Sequence, residues 1–215
     1  MKKTLVVLVT LFGLLAHRGA RAAYVWIEGE SCRKTNMEGN PWPQGDDPRR
    51  LSGEKCLAWV CGRDKAAEPP LFAIWDVTVP EDGKYVFYAR EFYKNIGSPW
   101  RYRLVNKADL AAGKRPGPEE GWTEADPDGP TTDTVSLGKD RALMWVKYAS
   151  HQLKKGDYIL DLQLTNTSQK GSSNDYLVNF DCFVLTSEPF MPRGAMKPGE
   201  KPASTKDATG APSYY

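Results

Sequence analysis

The sequence predicts an all-β domain, an antiparallel β-sandwich of the jelly-roll kind. Short apolar runs with strand-like alternation recur along the chain, and turn-forming residues separate them, with 19 Gly and 16 Pro among 215 residues. No segment carries the apolar repeat of a long amphipathic helix.

The elements follow in order. Residues 24 to 30 alternate, with Val25 and Ile27 on one side and Trp26, Glu28 and Glu30 on the other, as in a strand with one core face. Residues 33 to 54, rich in Gly, Pro, Asn and Asp, read as a long loop. A short strand spans 56 to 60 and a longer one 71 to 79, anchored by Phe72, Ile74 and Trp75. Pro80 to Gly83 is a turn, and 84 to 93 returns as a strand, so this pair reads as a hairpin. Residues 101 to 105 alternate again, and 106 to 130 form a polar Gly/Pro-rich insertion. Further strands are expected at 132 to 137, 143 to 149, 158 to 164 and 176 to 186, with a turn from Leu153 to Gly156. The total is roughly eight to ten short strands, the pattern of a sandwich.

Both ends fall outside this domain of 23 to 187. Lys2 and Lys3 precede an apolar run from Leu5 to Ala16, and Ala20-Arg21-Ala22 has the small-x-small form of a signal-peptidase site. The run is shorter than the ~20 residues that span a bilayer, so 1 to 22 reads as an export signal and no membrane span is expected. From Glu188 on, Pro189, Pro192, Pro198, Pro202 and Pro212 are interspersed with Lys, Gly, Ser and Thr, which reads as a disordered tail over 188 to 215.

Charge excludes some partners. The chain has 29 Lys and Arg against 27 Asp and Glu, and residues 1 to 22 hold four of the basic residues and no acid, which leaves 25 against 27. A slightly acidic chain with scattered charges has no electrostatic footprint for nucleic acid. Catalysis also finds little support. His151 is the one imidazole beyond the signal segment, and neither a Gly-x-Ser-x-Gly elbow nor a zinc motif is present.

Four cysteines in an exported chain point to disulfides. Three pairings are open; Cys32 with Cys182 and Cys56 with Cys61 is favoured, because Cys32 and Cys182 lie one or two residues beyond acidic positions at the two ends of the domain. Four buried thiols are the alternative.

Those acidic positions carry the most chemistry. Glu28 and Glu30 sit two apart, and Asn179 and Asp181 repeat the spacing in the final strand. Where first and last strands meet, Glu28, Glu30 and Asp181 would repel one another unless a hard cation lay between them, and Ca2+ takes such oxygen ligands. The plainer reading is a solvated acidic face. Among the tryptophans, Trp26, Trp59 and Trp75 lie in strand patterns, whereas Trp42, Trp100 and Trp122 lie in or beside loops, where an exposed ring invites a ligand. Trp122 and Arg90, at the end of its strand, are candidates for contact with sugar rings and hydroxyls.

Four strings together resemble family 6 and family 35 carbohydrate-binding modules: the E-x-E of Glu28 and Glu30, Gly-x-Tyr-x-Phe-x-Ala-Arg at 83 to 90, Leu-x-x-Gly-x-Tyr at 153 to 158, and Asn-Phe-Asp-x-Phe at 179 to 183. The resemblance implies a jelly roll with a structural calcium on Glu28, Glu30 and Asp181. It also implies a glycan or polysaccharide as partner, Asn179 on a sugar hydroxyl and Trp145 as a stacking ring. The 106 to 130 insertion, the Cys56 to Cys61 segment and residues 131 to 146 depart from the family pattern. The function expected is that of a secreted or periplasmic, non-catalytic, lectin-like module. An adhesive cell-envelope module with a protein partner is the alternative.

Overall fold

The computed structural model describes residues 24–37, 51–66, 70–92, 97–125, 143–168 and 174–200. Among them are ten strands: β1 (Tyr24–Glu28), β2 (Lys34–Thr35), β3 (Leu57–Gly62), β4 (Phe72–Val79), β5 (Gly83–Phe92), β6 (Trp100–Asn106), β7 (Thr123–Glu124), β8 (Leu143–Leu153), β9 (Gly156–Leu164) and β10 (Asp175–Thr186). Every pairing is antiparallel. The signal segment, Trp42 and the strand expected at 132 to 137 lie outside the described residues.

Two five-stranded sheets form the sandwich. The first runs β1, β10, β5, β8, with β3 also paired to β10; the second runs β2, β4, β9, β6, β7. Alternate residues bury them, and in β4 this takes Trp75 into the core and leaves the other two expected anchors, Phe72 and Ile74, half-buried on the opposite face. Ala73, Trp75, Val77 and Val79 of β4, Leu160, Leu162 and Leu164 of β9, and Tyr85, Phe87 and Ala89 of β5 all enter one core. Trp75 and Phe183 meet edge to face at 5.0 Å across it.

β10 is the hub. Its residues 175–180 pair with β3 and 182–186 with β1, while β5 lies along its other side. Tyr176, Val178 and Phe180 face the core, and so do Phe183 and Leu185, because the register with β5 shifts between Phe180 and Cys182. That irregularity adds one residue at Asp181 and keeps both halves of the strand core-facing.

Several expectations change. β4 and β5 do not form a hairpin: β4 lies in the second sheet and β5 in the first. The turn between them arches from one sheet to the other, because the inward faces of both strands complete the same core. The turn joining β8 to β9 does the same, and Asp82 ties the two turns by accepting from the Lys155 amide at 2.8 Å and the Lys154 ammonium at 2.9 Å. The polar insertion contains a helix, α1 (Lys107–Ala111), whose N-cap Asn106 accepts from the Ala108 amide at 2.8 Å.

Residues 188–200, expected as part of a disordered tail, are packed on the outer face of the first sheet. Phe190 contacts Tyr88 and Trp145 edge on, at 5.2 and 5.3 Å. Apolar Phe190 outweighs the Pro-rich composition, because Tyr88, Trp145, Cys182 and Val184 form a buried outer cluster that needs a cover.

The structure contains no disulfide among Cys32, Cys56, Cys61 and Cys182. Cys182 belongs to the outer cluster while Cys32 packs against the main core, so the two thiols lie on different faces of the first sheet. Cys61 is inside β3 and Cys56 just precedes it. Five extended residues span roughly 16 Å, far beyond the Cα separation a disulfide tolerates.

Gly29 sets how closely the chain leaving β1 approaches β10. A Cβ there would fall 1.9 Å from the Phe180 carbonyl oxygen. Gly29→Ala should therefore force the backbones apart and lower stability by about 2–3 kcal/mol, read from chemical unfolding. A change below about 0.5 kcal/mol would show that the contact is not constraining.

Candidate functional site

The three acids of the sequence reading converge. β1 places Glu28 opposite Cys182, and the 3-10 turn Gly29–Ser31 brings Glu30 beside it. Both carboxylates approach Gly53, whose Cβ would lie 3.2 Å from Glu30 Oε1 and 3.9 Å from Glu28 Oε2. Gly53 has φ +60, a left-handed conformation in which glycine is unstrained. The preceding Ser52 donates its amide to Asp181 Oδ1 at 2.8 Å, so one turn touches all three acids.

Charge compensation there is uneven. Asp181 is fully buried and paired with Arg90 Nη1 at 2.6 Å. Burial pushes its pKa up despite the guanidinium beside it. Glu28 Oε1 meets Lys197 Nζ at 3.0 Å. Glu30 has its pKa raised by burial and by the charges of Glu28 and Asp181. Glu28 Oε2 and Glu30 Oε2 are buried without a hydrogen-bond partner. Two orphaned carboxylate oxygens at one point suit a hard divalent cation. The third acid is less ready: Asp181 Oδ1 and Oδ2 already accept from Ser52 and Arg90, and no preformed cluster of three ligating side chains is found among the described residues.

Arg90, Asn179 and Trp145 are not on the surface. Arg90 is 1% exposed and bound to Asp181, so its guanidinium offers a sugar nothing. Asn179 is 4% exposed in the middle of the first sheet, opposite Ala58 of β3. Trp145 is fully buried, donates its indole N–H to the Gly194 carbonyl at 2.6 Å and packs against Trp26 and Phe190. The segment 188–200 is what covers it. Trp100, read as a loop ring, is a buried β6 residue that donates to Glu91 Oε2 at 2.8 Å. His151 is half-buried and shares a hydrogen bond of 2.9 Å with the Tyr102 hydroxyl; burial lowers its pKa.

Among the described residues, Trp122 alone of the expected sugar contacts reaches the surface. It lies on the outward face of the second sheet, with the guanidinium carbons of Arg101 and Arg103 at 4.5 and 4.2 Å from its ring centroid. Its indole N–H donates to the Pro118 carbonyl at 2.7 Å. Both arginines pin the surrounding loop to the sheet. Arg101 binds Glu119 bidentately at 2.6 and 3.1 Å and Gln163 at 3.1 Å. Arg103 binds Asp161 at 2.9 Å and donates to the carbonyls of Gly117 and Glu120 at 3.1 and 3.2 Å. Beside this ring opens a cleft of about 450 Å³, lined in part by Arg103, Asn106, Asp109, Lys114, Arg115 and Glu120. The sequence carried a usable signal here: Arg101 and Arg103 alternate with buried Tyr102, so both had to point outward.

No family model matches the chain, and no curated protein matches it. Solved structures do. The C-terminal CBM6 of LamC, a laminarinase from Zobellia galactanivorans, is 14% identical with a TM-score of 0.41, over 76% of this chain and 98% of that one. CBM35 from Cellvibrio japonicus Abf62 is 10% identical with a TM-score of 0.42, over 75% and 91%. The carbohydrate-binding module CBM6cm-2 of Cellvibrio mixtus lichenase 5A, solved with cellotriose, is 9% identical with a TM-score of 0.37, over 77% and 97%.

One further acid stands apart from the surface sites. Glu91 faces the sandwich interior, accepts from Trp100 and from the Tyr148 hydroxyl, and has its pKa pushed up to about 8 by burial, which outweighs both donors. Its carboxyl is neutral in the fold and ionised in the unfolded chain across the interval from 4.5 to about 8. Stability from this group is complete below the lower value and falls as pH rises through the interval, by about 1.4 kcal/mol per unit. Glu91→Gln should flatten the decline of melting temperature between pH 5 and pH 8; parallel profiles for the two proteins would refute the assignment.

Proposed function

We propose that the chain is an exported, non-catalytic carbohydrate-binding module, with its glycan held in the cleft beside Trp122 and its fold braced by calcium at Glu28, Glu30 and Asp181. The observation that supports the reading best is the cleft. A pyranose presents C–H faces and a ring of hydroxyls, which call for an aromatic face and for amide, carboxylate and guanidinium groups. Trp122, next to the lining residue Gly121 and packed on Arg103, would supply the first from the edge of the cleft, and its two arginine contacts mean that little side-chain freedom is lost on binding. Asn106, Asp109, Arg115 and Glu120 supply the second. On this reading the site lies on the outward face of the second sheet.

Asp109 meets Lys114 at 3.6 Å and Glu120 accepts from the Gly117 amide at 3.0 Å, each through one carboxylate oxygen, which holds the side chain in place and leaves the second oxygen for a sugar hydroxyl. At the acidic junction, Glu28 and Glu30 would hold the ion through their unpartnered oxygens, and Asp181 through the Oδ1 lone pair that Ser52 leaves unused, since Oδ2 accepts from both Arg90 and Cys182. The bound ion supplies charge neutralisation where the first and last strands meet. The basic start and apolar run of residues 1 to 22 support export.

A glycan array with and without chelator tests both parts. Binding of the unaltered chain to a polysaccharide is expected, with Trp122→Ala weakening it about tenfold; a chain that binds no glycan overturns the carbohydrate reading. Chelation should lower the melting temperature, and an unchanged value would overturn the calcium.

A further inference from the structure

The C-terminal strap, residues 188–200, ends on the acidic junction. Lys197 Nζ lies 3.0 Å from Glu28 Oε1 and 5.9 Å from the centroid of the Trp26 ring. Trp26 in turn donates to Ser52 Oγ at 3.1 Å, in the turn that touches all three acids. Glu28 thus offers one oxygen to Lys197 while its other, Oε2, is buried and unpartnered.

We propose that Lys197 is an internal competitor for the divalent cation, and that loading the ion lifts the Lys197 end of the strap off Trp26. The inference rests on the calcium reading above. An ion coordinated by Glu28 would sit within a few ångströms of the ammonium, and a double positive charge repels it while neutralising the carboxylate that holds it. The remaining anchors are unequal. Phe190 and the Trp145 bond to Gly194 fix the first part of the strap. Beyond Gly194 the strap folds mostly on itself: the Met196 amide donates to Arg193, the Glu200 amide to Lys197, and the Lys197 amide to the Glu200 side chain at 2.9 Å. That part leaves readily once Glu28 is neutralised. The exposed face would be the outer aromatic cluster at Trp26.

Isothermal titration with calcium, paired with amide hydrogen exchange of residues 190–200, tests this on the full chain. Lys197→Gln should bind calcium three- to tenfold more tightly than the unaltered chain, and Lys197→Arg should restore the original affinity. Calcium should speed exchange at Met196 and Lys197 in the unaltered chain, whereas Lys197→Gln should exchange quickly there without the ion. If both proteins bind calcium equally, or if calcium slows exchange at those amides, the competition is overturned while the calcium site stands. If neither binds calcium, the metal reading falls and the competition with it.

Discussion

A carboxylate taken out of water must be answered by charge or by hydrogen bonds, and Asp181 meets this demand in the least forgiving place, on the outward face of the strand that organises the first sheet. Arg90 and the Ser52 amide answer it together. Their positions follow from the pairing itself: β5 lies beside β10 and presents Arg90 opposite Cys182, and the loop entering β3 presents Ser52. Once Asp181 is satisfied in this way, its neighbours Glu28 and Glu30 face a local surplus of negative charge. Lys197 relieves part of it. The strap, the turn at Ser52 and Gly53 and the end of β1 are therefore arranged around one electrostatic problem.

Much of the architecture was legible in the chain. Alternation identified β1 and β6, and apolar runs bounded by turn residues identified β4, β5, β9 and β10, the last of them buried on both faces. Partnership was not legible. The segments around Pro80–Gly83 read as a hairpin because a short turn between two strands normally joins neighbours in a sheet. Here each strand completes a different sheet, and that choice depends on core contacts made by residues far away in sequence, such as Phe183 with Trp75.

The same division holds for the site. Glu28, Glu30 and Asp181 were brought together by reasoning about strand ends, but the cations beside them were not foreseen. Arg90 lies on the adjacent strand and Lys197 in a segment whose proline content masked the apolar anchor at Phe190. Trp145 and Asn179 lost their accessibility for one reason: the outer face of the first sheet is covered, and cover is a tertiary fact. Trp122 kept its accessibility because its indole face rests on arginines rather than in the core.

The placement of β10 has a consequence for how the molecule comes into being. It is the last described strand to leave the ribosome, yet β1, β3 and β5 all pair with it. The first sheet consequently cannot close during synthesis, and the pairs that β10 makes with β1 and β3 join residues more than a hundred positions apart. Nucleation must wait for nearly the whole polypeptide, which makes folding slow and post-translational. A chain held open in this way stays threadable, which would suit the export proposed for it.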